Sequence, residues 1–207
     1  MIVPAILTKD KKEFIDMLNT CKEFTNYAQI DIMDGEFVPS RSITKEDLKD
    51  IKPDIETEAH LMVKNPTDWI LAFKNFGSKR IIFHFEIKDP IKVIREIRSF
   101  NLNVGLAINP QTKIEEFLHL VDKVDSILFM SVNPGFYGSL FIPSVLDKIR
   151  DFKKIYPNKI IGIDGGIKLD NIGLLKDLGL DYICIGSAIL KDKSPKEAYR
   201  KFIKLIG

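Results

Sequence analysis

Eight short apolar runs recur along the chain with amphipathic segments between them, and this rhythm limits the choice of fold more than any other feature. The runs are "IVPAI" (2–6), "YAQIDIM" (27–33), "IETEAHLMV" (55–63), "RIIFHF" (80–85), "NVGLAI" (103–108), "SILFMSV" (126–132), "KIIGID" (159–164) and "DYICIG" (181–186). Each is rich in Ile, Val or Phe and short enough to be a strand. The stretches between them carry helical spacing and start signals: Asp10, Thr44 with Asp47, Asn65 before Pro66, Asp89 before Pro90, Asp170, and Ser194 before Pro195. Glycine or proline closes several, as in "IKP", "NFG", "YPN" and "LGL". Strict alternation without Gly/Ser-rich linkers predicts a parallel sheet. Eight units in about 200 residues match the lower size of a closed (β/α)8 barrel, so the expectation is one α/β domain over 1–207. An open doubly wound sheet carries a Gly-rich phosphate turn after its first strand. Here the first run leads into "ILTKD", without glycine, which favours the barrel.

Charge and cysteine content remove other classes. Across 207 residues the formal net charge is +2, and the lysines are scattered instead of clustered, so no footprint for nucleic acid or an anionic membrane is present. Expected partners are small molecules or further copies of the chain. The two cysteines, Cys21 and Cys184, are too few and too far apart for a disulfide framework and read as buried thiols of a reducing cytoplasm. No stretch approaches the roughly 20 apolar residues that span a bilayer, and the opening "MIVPAILTKDKKEF" lacks a leader pattern.

In a barrel the chemistry sits at the C-terminal ends of the strands. Strand side chains alternate, so Gln29, Asp31 and Met33 share one face of the second run, and Ile30 and Ile32 the other. The isoleucine face is expected to meet helices, which turns Asp31 into the barrel. Glu58, His60 and Met62 share a face of the third run, and Asp164 closes the seventh before "DGG". Alone, such an Asp is a hydrogen-bonded core acid and such a His a satisfied core histidine. Two Asp and one His converging from three strands resemble a ligand set for Zn²⁺, Fe²⁺ or Mn²⁺. Three glycine-bearing loops follow the last three strands, "NPGFYGS" (133–139), "DGGI" (164–167) and "IGSA" (185–188). Any one of them is explained by chain turning; together they point to a phosphate site.

These residues carry a resemblance. "PAIL", "DIMDGEFVP", "HLMVKNP", "FHFE", "MSVNPGF", "IDGGI" and "GSAI", in that order, make the chain similar to the ribulose-phosphate 3-epimerase family over nearly its whole length. The resemblance implies a barrel enzyme of the pentose phosphate pathway, an isomerase that interconverts D-ribulose 5-phosphate and D-xylulose 5-phosphate through an enediolate. It implies a divalent metal (Zn, Fe, Mn or Co) held by two His and two Asp, and a homo-oligomer. Carried onto this sequence, it makes Asp31 and Asp164 both metal ligands and the acid/base pair, and His60 a metal ligand beside the substrate. Gly135, Phe136, Tyr137 and Gly138 match its phosphate loop, with Gly165, Gly166, Gly186 and Ser187 completing the cradle. Met33, Met62 and Met130 match pocket-lining methionines, which as soft fillers also suit an ordinary core.

Four departures stand out. Gln29 replaces the family's first histidine ligand; an amide oxygen is a poorer zinc ligand than imidazole, so weaker metal affinity or a shift toward Mn²⁺ or Mg²⁺ is expected. Ala5 stands where the family has a substrate-touching serine, a hydrogen bond worth on the order of 1 kcal/mol. Tyr137 takes a place usually held by glycine, and "VPSRSI" puts Arg41 near the mouth. Two alternatives therefore stay open: an epimerase or lyase-type relative acting on another ketose phosphate, and a non-catalytic phosphoketose-binding barrel. Elsewhere, His84 and Glu86 suit either a supporting role or a structural pair, His119 is expected to face solvent, Trp69 to pack a helix on the barrel, and Cys184 has no histidine nearby in the sequence to make it a nucleophile.

Overall fold

The computed structural model describes residues 1–135 and 139–206. Eight parallel strands close on themselves in chain order: β1 (Ile2–Ile6), β2 (Tyr27–Met33), β3 (Glu56–Met62), β4 (Arg80–His84), β5 (Asn103–Ile108), β6 (Ser126–Met130), β7 (Ile160–Asp164) and β8 (Tyr182–Ile185). All eight apolar runs are strands, and β1 pairs with β8 to complete the (β/α)8 barrel. Outside it lie α1 (Lys11–Lys22), α2 (Thr67–Phe76), α3 (Pro90–Ser99), α4 (Ile114–Val121), α5 (Val145–Ile155), the single-turn α6 (Ser187–Leu190) and α7 (Pro195–Ile206). No helix among the described residues is long and apolar enough to cross a membrane.

Strand alternation sorts the core into two shells. Ile30 and Ile32 join the outer shell with helix residues such as Phe14, Phe73 and Phe152. Val3, Ala5, Ile82, Ala107, Leu128 and Cys184 fill the barrel interior. Trp69 packs half-buried against the outer shell, and His119 on α4 is exposed. Beneath this filling, Tyr27 Oη and Arg80 Nε both donate to Glu58 Oε2, at 2.8 and 2.7 Å, while the Arg80 guanidinium lies 4.6 Å from the centre of the Tyr182 ring. The ring occupies space that β7 leaves by having Gly162: a Cβ there would stand 2.3 Å from Tyr182 Cε2.

Several start signals act as expected. Asp10 accepts the Glu13 N–H at 2.7 Å, Asp89 accepts the Lys92 N–H at 3.0 Å with Pro90 at the first helical position, and Gly77 ends α2 at φ +99°. Two expected helices do not form. After β2, Asp47 Oδ2 accepts the Thr44 N–H and hydroxyl, each at 2.8 Å, and the Asp47 N–H reaches Thr44 Oγ1 at 3.4 Å, but only turns follow. Asp50 sits at φ +63°, and Pro53 disfavours a helical residue before it. After β7, Asn171 captures the local backbone, its amide donating to Gly166 O at 2.9 Å and accepting the Lys168 N–H at 2.8 Å. Such side-chain bonds compete with a helix, and a 3-10 turn at Ile172–Leu175 replaces the helix that Asp170 was expected to start.

Candidate active site

Strand register assembles the site at the C-terminal mouth of the barrel. Asp31 pairs with His60 across β2 and β3, Met130 with Asp164 across β6 and β7, and Asp164 with Cys184 across β7 and β8. Asp31 and Asp164 are each 8% exposed, whereas His60 and Gln29 are wholly buried, so the two acids form the floor of a cleft and the other two groups support it from below. One ligand atom each from Asp31, His60 and Asp164 lies within 4.8 Å of the others. His60 Nδ1 is 3.1 Å from Asp31 Oδ1 and 3.4 Å from Asp164 Oδ2.

Burial pushes the Asp31 carboxyl up to about 6, with the charge of Asp164 adding to the effect and the bonds from His60 and Gln29 opposing it. Burial would lower His60, but its bonds to Asp164 and Asp31 win and hold it at about 9. Behind it, His60 Nε2 meets His84 Nε2 at 3.0 Å with the rings stacked at 5.1 Å, and His84 Nδ1 faces Glu86 Oε2 at 3.5 Å. His84 is held below the usual histidine range by burial and by the neighbouring His60 charge. The raised His60 and lowered His84 make His60 the donor of this bond, and His84 on β4, with Glu86 in the turn after it, supports His60 on β3. Glu86 is anchored in turn by the Asn109 N–H at 2.9 Å and the Thr112 hydroxyl.

Ala5, Met33, Met62 and Met130 line the cleft wall, and Met33 and Met62 pack with Val38 at its mouth. Gly135, Gly165, Gly166, Gly186 and Ser187 line the opposite side. Gly165 and Gly166 have φ of +115° and +64°, and a Cβ on Gly166 would lie 2.8 Å from Phe141 N and 2.9 Å from Ser139 O. Only glycine lets the loops after β6 and β7 meet this closely. Phe136, Tyr137 and Gly138 lie outside the described residues. Arg41 pairs its backbone with Asp34 in an antiparallel bridge.

Three contributors have no signal in the sequence pattern. Ser131 Oγ donates to Gly165 O at 2.7 Å and the Ser131 N–H to Asp164 O at 2.7 Å, fixing the turn that carries the second acid. Lys168 adds an exposed cation to the cleft lining. Cys184, buried with its thiol pushed well above the usual range by burial and the Asp164 charge, donates to Gln29 Oε1 at 3.1 Å. That leaves the Gln29 amide nitrogen, and not its oxygen, turned toward the acids, 2.8 Å from Asp31 Oδ1 and 2.9 Å from Asp164 Oδ2. The two carboxylates and the imidazole suit a hard or borderline divalent cation; Gln29 in this orientation supplies no lone pair to it.

The model of the ribulose-phosphate 3 epimerase family matches residues 1–190. Among relatives, the ribulose-phosphate 3-epimerase of Bacillus subtilis is 31% identical over 209 residues, covering 95% of both chains. That of Serratia marcescens is 35% identical over 199 residues, covering 91% of this chain and 94% of its own. Among solved structures, KGPDC from Streptococcus mutans superposes with a TM-score of 0.77 at 14% identity, covering 99% of this chain and 96% of that one. At that identity the likeness is one of fold.

Proposed function

The chain belongs to the ribulose-phosphate 3-epimerase family, and on that footing we propose that it interconverts D-ribulose 5-phosphate and D-xylulose 5-phosphate. One aspartate, ionised, removes the proton from carbon 3, the electron pair moves into the adjacent carbonyl to give an enediolate, and the other aspartate, which enters the step protonated, returns its proton to the opposite face. Inversion needs two proton-transfer groups on either side of a planar intermediate. The observation that supports this reading is the convergence of the Asp31 and Asp164 carboxylates on one point of the cleft floor. Burial holds Asp31 at about 6, close to the working range in which a carboxyl both takes and gives a proton near neutrality. Met33, Met62 and Met130 give the intermediate an apolar wall, which keeps water from protonating carbon 3 without regard to face.

Asp31, His60 and Asp164 would hold a divalent ion, which when bound supplies charge to stabilise the enediolate oxygens. The phosphate is assigned to Gly135, Gly165, Gly166, Gly186 and Ser187, where glycine backbone admits the ester oxygens to N–H distance. Incubation with ribulose 5-phosphate in deuterated water tests the assignment: xylulose 5-phosphate and deuterium at carbon 3 are expected, and absence of both overturns it.

A further inference from the structure

Two acids packed against each other in a buried pocket need a cation or donated hydrogens between them, because like charges repel strongly where the dielectric is low. A divalent ion is one solution. The structure itself supplies the His60 ring, its Nδ1 lying 3.1 Å from Asp31 Oδ1 and 3.4 Å from Asp164 Oδ2, and beside it a neutral donor. The single NH₂ group of Gln29 donates to Asp31 Oδ1 at 2.8 Å and to Asp164 Oδ2 at 2.9 Å, bridging strands β2 and β7 across the barrel axis. At the other end of the amide, Gln29 Oε1 accepts the Cys184 thiol at 3.1 Å.

Donor and acceptor chemistry fixes that orientation. Turning the amide over would set Oε1 against two carboxylate oxygens, acceptor against acceptor, and leave the NH₂ facing sulfur, a weak acceptor. The reversed amide becomes favourable only when a cation stands between the acids and takes the oxygen as a ligand. An entering ion must therefore displace two charge-assisted hydrogen bonds and rotate a fully buried side chain. Ala5 adds a separate observation. It is the register partner of Gln29 across β1 and β2 and is buried in the cleft wall. The two departures from the family pattern that face the interior are thus neighbours in one layer, as expected if the layer changed as a unit.

We propose that the Gln29 amide nitrogen stands in for the metal ion in this chain: beside His60 it cross-links Asp31 and Asp164, keeps the acid/base pair assembled without a metal ion, and leaves the site with weak affinity for divalent ions. The inference rests on the two aspartates being the reacting pair, yet the cross-link is measurable apart from turnover.

Chelator-treated wild type, Gln29→His and Gln29→Glu are titrated with Mn²⁺ and Zn²⁺ by calorimetry, and their thermal midpoints are recorded with and without ion. Both variants are expected to bind the ions at least about tenfold more tightly than wild type. Gln29→Glu keeps the side-chain length and loses the NH₂; in chelator it is expected to melt below wild type and to recover when ion is added. Equal affinity in all three proteins, or an unchanged midpoint for Gln29→Glu in chelator, overturns the cross-link. Turnover is read separately. Chelated wild type is expected to keep a larger share of its epimerisation than chelated Gln29→His; an equal fractional loss in the two, restored by ion in both, overturns the inference. If no protein turns over ribulose 5-phosphate with or without ion, the reaction assignment fails, and the isotherms still decide whether Gln29 replaces the cation.

Discussion

Asp31 takes a proton only when ionised, and burial holds its carboxyl at about 6. In chelated protein kcat/KM should therefore fall as pH drops below about 6, tenfold per unit at the limit, and a profile flat to pH 5 would remove Asp31 from the proton-transfer role. Asp31→Asn and Asp164→Asn should each lower kcat by about 10²–10⁴, measured as xylulose 5-phosphate formed under saturating substrate; a variant that keeps the wild-type kcat shows that its residue is not one of the pair. His60 governs stability with the opposite sign. Its folded value, about 9, lies above the ordinary histidine value. The stabilisation is then fully present below about pH 6.5 and lost as pH rises toward 9. Thermal midpoints of the chelated protein should decline across that window, and His60→Asn should flatten the decline. At this scale the sequence shows which residues face inward, since alternation on β2, β3 and β7 suffices for that. It does not show what Gln29 does, because the direction of its amide is set by Asp31, by Asp164 135 positions away and by the Cys184 thiol 155 positions away.

Two glycines, one within β7 and one in the loop after it, set the spacing of neighbouring elements, and each makes a different prediction. Gly166 is at φ +64° with the backbone of Ser139 and Phe141 against its missing Cβ. Gly166→Ala should push the loops after β6 and β7 apart and, on the proposed assignment of the phosphate and not the reacting carbon to these loops, raise KM for the sugar phosphate several-fold more than it changes kcat. Gly162 faces the Tyr182 ring inside the barrel, and Gly162→Ala should cost about 1–3 kcal/mol by overpacking, read from chemical denaturation. The eight strands are legible from apolar runs alone, and α1, α2 and α3 from Asp10, Pro66 and Asp89. The segments after β2 and β7 carry equally good start signals and do not become α-helices. A cap stabilises a helix that packing already favours, whereas Asp50, Pro53 and Asn171 direct those segments into turns.

At the scale of the whole barrel, one pair of register neighbours marks where the cleft ends and the lower core begins. Gln29 and Glu58 are Cα partners on β2 and β3; Gln29 reaches up to the acids of the cleft, and Glu58 reaches down to Tyr27 and Arg80. The upper cluster sets two acids against an imidazole and an amide, while the lower one sets a fully buried carboxylate against a guanidinium, with a phenol donating to it. The lower cluster is invisible in the sequence, because Tyr27, Glu58, Arg80 and Tyr182 meet only when the barrel closes. Its physical role follows from the cost of leaving one charge behind. Glu58→Ala should leave the largely buried Arg80 charge without an acidic partner, with the Ser126 hydroxyl and the Tyr182 ring beside it, and destabilise the protein by about 3–5 kcal/mol. For a chain of this size that is a fall of about 6–20 °C in thermal midpoint. Glu58→Met combined with Arg80→Met, which removes both charges, should recover much of the loss. Turnover per folded molecule should stay near wild type in the double variant, since every bond it removes points away from Asp31 and Asp164. A double variant as unstable as Glu58→Ala would show that packing around these side chains, and not the unpaired charge, holds the lower layer together.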